Sequence, residues 1–201
     1  NLMRAYEAER AGAPSFCGRR TAVLGGGNVA MDAARTALRL GSEEVHVIYR
    51  RTEKEMPARV EEVAHAREEG IEFHFLRNAK RILDNGNGRV GEIEVLKYEL
   101  GEPDDSGRRR PIEIEGSEYR MPMDAVLVAI GNSPNPLIGS TTPELDVTSW
   151  GGVVVDDGGK TSVDRVFSGG DIVLGAATVI LAMGQGRRAA ASINEMLAEE
   201  R

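Results

Sequence analysis

The sequence is poor in cysteine and in aromatic residues, and each shortage excludes a class of protein. Cys17 is the single cysteine among 201 residues, so the chain contains neither an internal disulfide nor a Cys-x-x-Cys redox centre. It also has too few thiolates to hold an iron–sulfur cluster by itself. Aromatic residues make up 4% of the chain, which argues against an aromatic-lined groove. A chain without disulfides suits a reducing compartment, and we predict a cytoplasmic location.

Basic charge and long apolar runs are also scarce. The formal net charge is −7, and the only triple basic run, Arg108–Arg110, is typical of a solvated hairpin turn, so no nucleic-acid partner is predicted. The uncharged stretch Ile172–Gly186 is shorter than a membrane span of roughly 17–25 residues and contains glycines, so no membrane partner is predicted. No signal peptide precedes the first predicted strand. A helical pattern already under way at Leu2–Arg10 indicates a piece of a longer polypeptide.

What the sequence does contain is a regular alternation of strands and helices. Strands are predicted at 20–24, 45–49 and 71–75, with one helix at Val29–Leu40 and another that Pro57 opens and Gly70 ends. This βαβαβ order is typical of the doubly wound, Rossmann-like nucleotide-binding fold of the α/β class, in which helices cover both faces of a parallel sheet.

The pattern changes after the third strand. Short alternating segments at 81–83, 90–100 and 111–119, separated by Gly- and Asp-rich turns, predict an inserted antiparallel meander. The apolar segment 125–130 predicts a last parallel strand that is buried on both faces. Beyond Gly131 the chain is rich in loops, with strands predicted at 153–155 and 166–167 and a final helix at about 177–197.

A glycine-rich turn joins the first strand to the first helix. Its pattern is Gly25-x-Gly27-x-x-Ala30. The first glycine permits the tight turn, the second lets a pyrophosphate approach the backbone, and the small alanine lets the helix pack closely on the sheet. The amides at the helix start then face the pyrophosphate. The turn predicts a dinucleotide site that comprises Gly25, Gly26, Gly27, Asn28, Val29 and Ala30.

The end of the second strand indicates which dinucleotide binds. NAD-binding folds place an acidic residue there, which accepts hydrogen bonds from the ribose. Here Tyr49 is followed by Arg50 and Arg51, and guanidinium groups form bidentate hydrogen bonds with phosphate. The arginine pair therefore predicts NADPH rather than NADH, with Glu53 and Glu55 weakening the local positive field.

Other polar residues give no pattern of a catalytic or metal site. His46, His65 and His74 lie on different predicted elements and lack the spacing of metal ligands, so no metal site is predicted. Ser15, Ser42 and Ser168 lack a nucleophile-elbow context, and Asp32 suits compensation of the helix dipole. No catalytic side chain is predicted, because hydride transfer depends on holding two cofactors together.

The motifs together resemble the small (beta) subunit of NADPH-dependent glutamate synthase and its relatives. The resemblance rests on the segment Gly25–Arg35, on Tyr49–Arg51 with Met56–Ala58, and on Ala129–Gly131 with Pro134 and Asn135. The tail adds Gly169–Asp171 and Gly175–Gly184. Relatives include the flavin subunit of ferredoxin–NADP transhydrogenases and the amino-terminal half of dihydropyrimidine dehydrogenase. The resemblance covers nearly the whole chain.

The resemblance implies a flavoprotein in which an NADPH domain is inserted into an FAD domain. It implies that NADPH reduces FAD, that electrons leave through iron–sulfur clusters outside this chain, and that the large subunit or another electron-accepting subunit is the partner. It adds Ile130 and Gly131 to the NADPH site and assigns Gly170, Asp171, Thr178 and Val179 to FAD. It divides the chain into a preceding linker helix at 1–18, an NADPH domain at 19–133 and the carboxyl-terminal part of the FAD domain at 134–201.

The sequence lacks the family's own FAD fingerprint and its cysteine-rich region. We therefore expect the chain to bind NADPH weakly or moderately and to retain little or no FAD. The leading hypothesis is the NADPH-dependent electron-input part of glutamate synthase, which makes glutamate from glutamine and 2-oxoglutarate. Two alternatives stay open: the flavin subunit of a ferredoxin–NADP transhydrogenase or sulfide dehydrogenase, and a non-catalytic NADP(H)-binding module. A thioredoxin reductase is disfavoured because Cys-x-x-Cys is absent.

Overall fold

The computed structural model describes residues 18–104 and 107–199. The chain divides into two compact units, Asn1–Gly131 and Asn132–Arg201. The predicted amino-terminal helix at Leu2–Arg10 and the single cysteine, Cys17, lie outside the described residues. The assignment of the units to an NADPH domain and to part of an FAD domain stays a prediction.

The described part of the first unit alternates strands and helices in the order that the sequence predicts. The strands are β1 (Arg20–Leu24), β2 (Glu44–Tyr49), β3 (Glu72–Phe75), β4 (Arg77–Asp84), β5 (Val90–Pro103), β6 (Arg109–Glu113), β7 (Tyr119–Pro122) and β8 (Ala125–Val128). The helices are α1 (Asn28–Arg39), α2 (Val60–Glu68) and a 3₁₀ helix (Glu53–Glu55). The α/β class with an inserted meander is therefore confirmed.

Four strands form a parallel sheet in the order β3-β2-β1-β8. Leu24 at the end of β1 pairs with Ile48 of β2 on one side and with Val128 of β8 on the other. The chain leaves β1 through α1 toward β2 and returns to the opposite side of β1 only at β8. The order in which the chain adds strands therefore reverses at β1. Doubly wound sheets bind ligands at such a switch point.

The two faces of this sheet bury different sets of residues, because successive side chains on a strand point to opposite faces. On one face Val23 and Val47 pack against the alanines of α1 and against Val63 of α2. On the other face Ala22, Leu24 and Ile48 pack with Ile93, Val95 and Met123 of the meander region. The small residues of α1 let the helix lie close to the sheet, as the pattern at Ala30 predicts; the buried ones are Ala30, Ala33, Ala34 and Ala37.

The meander is antiparallel, as predicted, but its strand boundaries differ. β5 pairs with β4, β6 and β7. The single strand expected at 111–119 is wrong: it is divided into β6 and β7 by a turn in which Ser117 donates a backbone hydrogen bond to Ile114. Gly116 adopts a φ of 72° in this turn, which ends the extended run.

Two further expectations in the first unit are corrected. Pro57 does not open a helix; α2 begins at Val60, after Arg59 in an extended conformation. β8, an edge strand of the described sheet, is not buried on both faces. Val126 and Leu127 are half-buried and Val128 is exposed.

The second unit contains three described helices: α3 (Pro136–Thr141), α4 (Asp171–Leu174) and α5 (Val179–Glu199). The long helix α5 confirms the predicted final helix, with its start two residues later. The strands predicted at 153–155 and 166–167 are wrong, because Val153 and Phe167 form only isolated bridges. Beside these bridges, Val154 N–H donates to Asp146 O and Ser168 N–H donates to Gly159 O. Within the described residues, no helix has both the length and the apolar character that a membrane span requires.

Candidate nucleotide-binding site

The candidate site lies where β1, β2 and β8 end beside one another. Gly25 follows Leu24, and its backbone N–H donates to Ile48 O at 3.1 Å. Ala129 N–H donates to Leu24 O at 2.8 Å, which extends the pairing of β1 and β8 by one residue. The glycine turn, the end of β2 and the residues after β8 therefore lie together at the carboxyl-terminal ends of the parallel strands.

The chain's own packing requires glycine at the first two positions of the turn. Gly25 has a φ of 141°, and a Cβ there would lie 2.3 Å from Ala129 O. At Gly26 a Cβ would lie 2.6 Å from the ring of Tyr49. Both glycines are explained without any ligand.

The third glycine differs from the other two. Gly27 has φ −93° and ψ 176°, a conformation that any residue adopts. Among the described residues, a Cβ there would meet only Pro57 Cγ, at an ordinary contact distance of 3.9 Å. The fold therefore leaves open space at Gly27, at the position where the fingerprint lets a pyrophosphate approach the backbone.

The start of α1 has the features of an anion site. Gly27 is the N-cap, and no side chain caps the helix. The first turn carries no acidic residue, so the positive end of the helix dipole is not compensated locally. Asp32, which the sequence suggested as dipole compensation, lies beyond that first turn and is exposed.

The segment after β2 is tied to the glycine turn by hydrogen bonds. Asn28 Oδ1 accepts from the backbone N–H of Arg59 at 2.9 Å, and Gly26 O accepts from Ala58 N–H at 3.1 Å. The Tyr49 hydroxyl donates to Glu55 O at 2.8 Å. Residues 55–59 therefore have a fixed position beside the turn. Sequence reasoning gave Asn28 to the cofactor, whereas the structure also uses its side chain to fix this segment.

The two arginines after β2 have different surroundings. Arg50 is exposed. Arg51 is only 6% exposed. Its Nε donates to Arg109 O and its Nη2 donates to Asp104 Oδ2, both at 2.7 Å. Protein groups therefore hold two nitrogens of the Arg51 guanidinium, and the binding of a ribose by both arginines stays a prediction. Sequence distance hid these partners, which lie 53 and 58 residues away.

Exposed apolar side chains lie at the same carboxyl-terminal ends of the strands. Val29 is 66% exposed at the start of α1, and Ile130 is 74% exposed just after β8. Gly131 follows with a φ of 91°, and no atom of the described residues lies within 4 Å of the position of a Cβ. Tyr49 and Ala30 are buried, so they shape the site from beneath.

The remaining predicted residues lie in the second unit. Gly170 has a φ of 85°, and its N–H donates to Gln185 Oε1 of α5 at 2.6 Å. Asp171 begins α4 and is exposed. At the start of α5, Thr178 O accepts from Ala182 N–H at 3.1 Å. Val179, Ile180, Leu181 and Met183 form an exposed apolar surface there.

The structure brings together two histidines that sequence spacing kept apart. His46 on β2 and His74 on β3 lie on adjacent parallel strands, and His46 Nδ1 is 3.1 Å from His74 Nε2. Glu72 lies directly opposite His46 in the ladder. Their shared face could have been recognised from the alternation of the two strands, but only once β2 and β3 were known to be neighbours. The third histidine, His65, is exposed on α2.

The comparisons with known proteins agree with this geometry. The family model described as pyridine nucleotide-disulphide oxidoreductase matches residues 1–186. The chain belongs to this family of oxidoreductases. The resemblance to glutamate synthase small subunits is also confirmed, because the Escherichia coli glutamate synthase [NADPH] small chain is 41% identical over 91% of this chain and 40% of its own length.

Other relatives in the family are named for different reactions. The NADP(+)-dependent formate dehydrogenase subunit beta of Moorella thermoacetica is 48% identical over 92% of this chain and 26% of its own length. The NADPH-Fe(3+) oxidoreductase subunit beta of Geobacter sulfurreducens is 40% identical over 94% of this chain and 31% of its own length. The chain therefore spans only about a quarter to two fifths of these relatives.

Solved structures confirm the fold. Thioredoxin reductase of T. acidophilum has a TM-score of 0.70 at 21% identity, over 89% of this chain and 53% of its own. Mycobacterium tuberculosis FprA in complex with NADPH has a TM-score of 0.68 at 19% identity, over 92% of this chain and 54% of its own. Both are similar in fold to the chain.

Proposed function

We propose that the glycine turn binds the pyrophosphate of NADPH. The observation that carries this proposal is the open space at Gly27, where the fold has no packing reason for a missing side chain. The uncapped start of α1 supplies backbone N–H donors and a positive dipole end for an anion. Gly131, Ile130 and Val29 border the same edge and are available to the remainder of the dinucleotide.

We assign preference for the 2′-phosphate chiefly to Arg50. Its side chain is exposed beside the turn, while hydrogen bonds to Asp104 and Arg109 hold Arg51. Arg51 then acts by fixing the end of β2 against the meander, so that Arg50 is presented from a rigid backbone. A guanidinium that meets a phosphate forms a charge-assisted hydrogen bond worth roughly 1.5–3 kcal/mol.

We propose that the intact protein is a flavoprotein and that the second unit contributes to its FAD site. When bound, NADPH supplies a hydride to the flavin. The chain's residues bind and orient the two groups, and no side chain has to act as an acid or a base. The exposed apolar start of α5 supports this placement, because an apolar patch of this kind marks a ligand or partner surface. Gly170, Asp171, Thr178 and Val179 are the proposed FAD residues.

We propose two candidates for the electron acceptor of the intact protein. The first is the large subunit of a glutamate synthase, which the motifs and 41% identity to a small chain support. Iron–sulfur clusters outside this chain would carry the electrons. The second is the partner subunit of a formate dehydrogenase of the NADP-dependent type, which 48% identity to a beta subunit supports.

Anaerobic stopped-flow reduction of the full-length protein tests the proposal. We expect NADPH to bleach the flavin absorbance rapidly and NADH to do so more slowly. A flavin that NADPH leaves oxidised would contradict the proposal. Reoxidation by glutamine and 2-oxoglutarate, assayed with the co-purified partner, identifies the glutamate synthase type. NADP-dependent formate oxidation by the purified complex identifies the other.

A further inference from the structure

We propose that His46, Glu72 and His74 form a binding site for a first-row transition-metal cation of the Zn²⁺ class. The three residues offer one imidazole nitrogen each from the histidines and one carboxylate oxygen. This donor set, two histidines and one glutamate, is one that Zn²⁺ uses in proteins while a fourth position stays open. The site lies on the β2–β3 edge of the parallel sheet and is independent of the proposed nucleotide site.

The separations of the three donor atoms suit one cation. His46 Nδ1 is 3.1 Å from His74 Nε2 and 3.3 Å from Glu72 Oε2, and the latter two atoms are 3.8 Å apart. Ligands at Zn²⁺ distances of about 2.0–2.2 Å in a tetrahedral arrangement lie roughly 3.3–3.5 Å from one another. A point about 2 Å from all three atoms is therefore compatible with the observed triangle.

Hydrogen bonds within the cluster pair only two of its three facing polar atoms well at one time. A neutral imidazole has one N–H, so a proton on His46 Nδ1 serves either His74 Nε2 or Glu72 Oε2 well. The 3.8 Å between His74 and Glu72 is too long for a hydrogen bond. A cation at the centre of the triangle would be bound by all three lone pairs at once.

Two charged side chains outside the triangle, those of Arg77 and Glu44, lie near the cluster. The Arg77 Nη1 group itself donates to the backbone oxygens of Phe75 and Leu76. On the far side of the His46 ring, Nε2 lies 3.7 Å from Glu44 Oε2. This separation is too long for a hydrogen bond, so Glu44 contributes only its negative charge beside the ring.

The position of the cluster leaves the proposed cation site open to solvent and places it between two strands. His46 is buried, whereas the side chain of Glu72 is 65% exposed, so one ligand reaches solvent. His74 also lines a cavity of about 620 Å³, together with Lys97 and Tyr119. A bound cation would connect the edge strand β3 to β2, so it would stabilise the folded chain.

Calorimetric titration of the chelator-treated chain with ZnCl₂ at pH 7.5 tests this site. A Cys17→Ser background removes the single thiol, which is itself a potential Zn²⁺ ligand. We expect one Zn²⁺ per chain, a rise in unfolding temperature on binding, and no heat with MgCl₂. Absence of Zn²⁺ binding would overturn the proposal.

Two variants test the ligands, and a third is the control. His74→Gln and Glu72→Gln are each expected to weaken Zn²⁺ binding at least about 100-fold, because each removes a direct ligand, and loss of an outer-shell partner alone already costs about 10–100-fold. His65→Gln, a change of an exposed histidine outside the cluster, is expected to bind as the parent does. Equal binding by all three variants would overturn the proposal. Glu72→Gln keeps the test decisive if His74→Gln folds poorly, since Glu72 is exposed. NADPH binding should not change in any variant, which separates this site from the proposed function.

Discussion

Arg51 Nη2 and Asp104 Oδ2 lie 2.7 Å apart and connect the end of β2 to the loop between β5 and β6. The Arg51 side chain is 7% exposed and that of Asp104 is 24% exposed, so water screens this pair only partly. The pair fixes the backbone from which the neighbouring Arg50 extends. The two adjacent arginines therefore have separate proposed roles, a structural one for Arg51 and a binding one for Arg50. Each role can be tested by itself.

Replacement of Arg51 tests the structural role. Arg51→Ala removes donors to Asp104 and to Arg109 O, so the free energy of unfolding in urea should fall by about 2 kcal/mol. The ratio of NADPH to NADH affinity should change little. Arg51→Lys, which keeps the charge, should recover part of the stability. A normal stability together with a lost cofactor preference would contradict this assignment.

Replacement of Arg50 tests the binding role. Arg50→Ala should lower the preference for NADPH over NADH about tenfold, since it removes one charge-assisted hydrogen bond to the 2′-phosphate. The measurement is calorimetric titration with both nucleotides. Arg89→Ala, at another exposed arginine in the β4–β5 turn, serves as the control and should leave the ratio unchanged. If Arg50→Ala behaves like the control, the selecting residue lies elsewhere.

The glycine turn allows stability and binding to be separated. Gly27→Ala should lower the unfolding free energy by no more than about 1 kcal/mol, because alanine is a poorer N-cap than glycine but, among the described residues, its Cβ meets only Pro57 Cγ at 3.9 Å. It should nevertheless weaken NADPH binding at least tenfold, since the methyl group fills the space of the pyrophosphate. Gly25→Ala should instead destabilise the fold by about 3 kcal/mol, because of its positive φ and its contact with Ala129 O. A Gly27→Ala chain that binds NADPH normally would argue against a ligand at this turn.

Much of this site is predictable from residues that are close in sequence. The roles of Gly25 and Ala30 follow from local turn geometry and helix packing, which depend on a few consecutive residues. The order of β1, α1 and β2 follows from apolar periodicity in the same way. The resemblance to a known family supplied Gly170 and Thr178, whose placement no local pattern determines.

The features that local sequence patterns do not reveal depend on contacts between distant segments. Arg51 is adjacent to Arg50 in sequence, but it bonds to Asp104, which is 53 residues away. His46 and His74 come together because β2 and β3 are neighbours in the sheet, which sequence spacing does not show. Val153 and Phe167 have strand-like sequences, but they find no continuous ladder and form isolated bridges. In each case tertiary context decided the outcome.

Ion pairs between two arginines of α1 and Glu69 at the end of α2 predict that the stability of the fold depends on pH. Arg35 Nε donates to Glu69 Oε1 at 2.8 Å, and Arg39 Nη2 donates to the same oxygen at 2.7 Å. Burial by itself raises the pKa of Glu69, but the two arginines outweigh it, so the pKa lies below its ordinary value. A carboxylate with a depressed pKa stabilises the fold above its unfolded pKa, and this contribution is lost as pH falls through the folded pKa.

Glu69→Gln measures that contribution. At pH 7 its unfolding free energy should be about 1 kcal/mol lower than that of the parent. The difference should shrink as the pH falls below about 4, where the parent carboxylate becomes protonated. Glu68→Gln, at an exposed neighbour on α2, should show little difference at either pH. A gap that stays constant with pH would mean that charge is not its cause.

The most direct measurement is calorimetric titration of the parent chain with NADPH and then with NADH under the same conditions. One NADPH per chain is expected, bound about tenfold or more tightly than NADH, because the open turn at Gly27 accepts the pyrophosphate and Arg50 meets the 2′-phosphate. Equal affinities would contradict the role of Arg50. Absence of binding by either nucleotide to a folded chain would contradict the site itself.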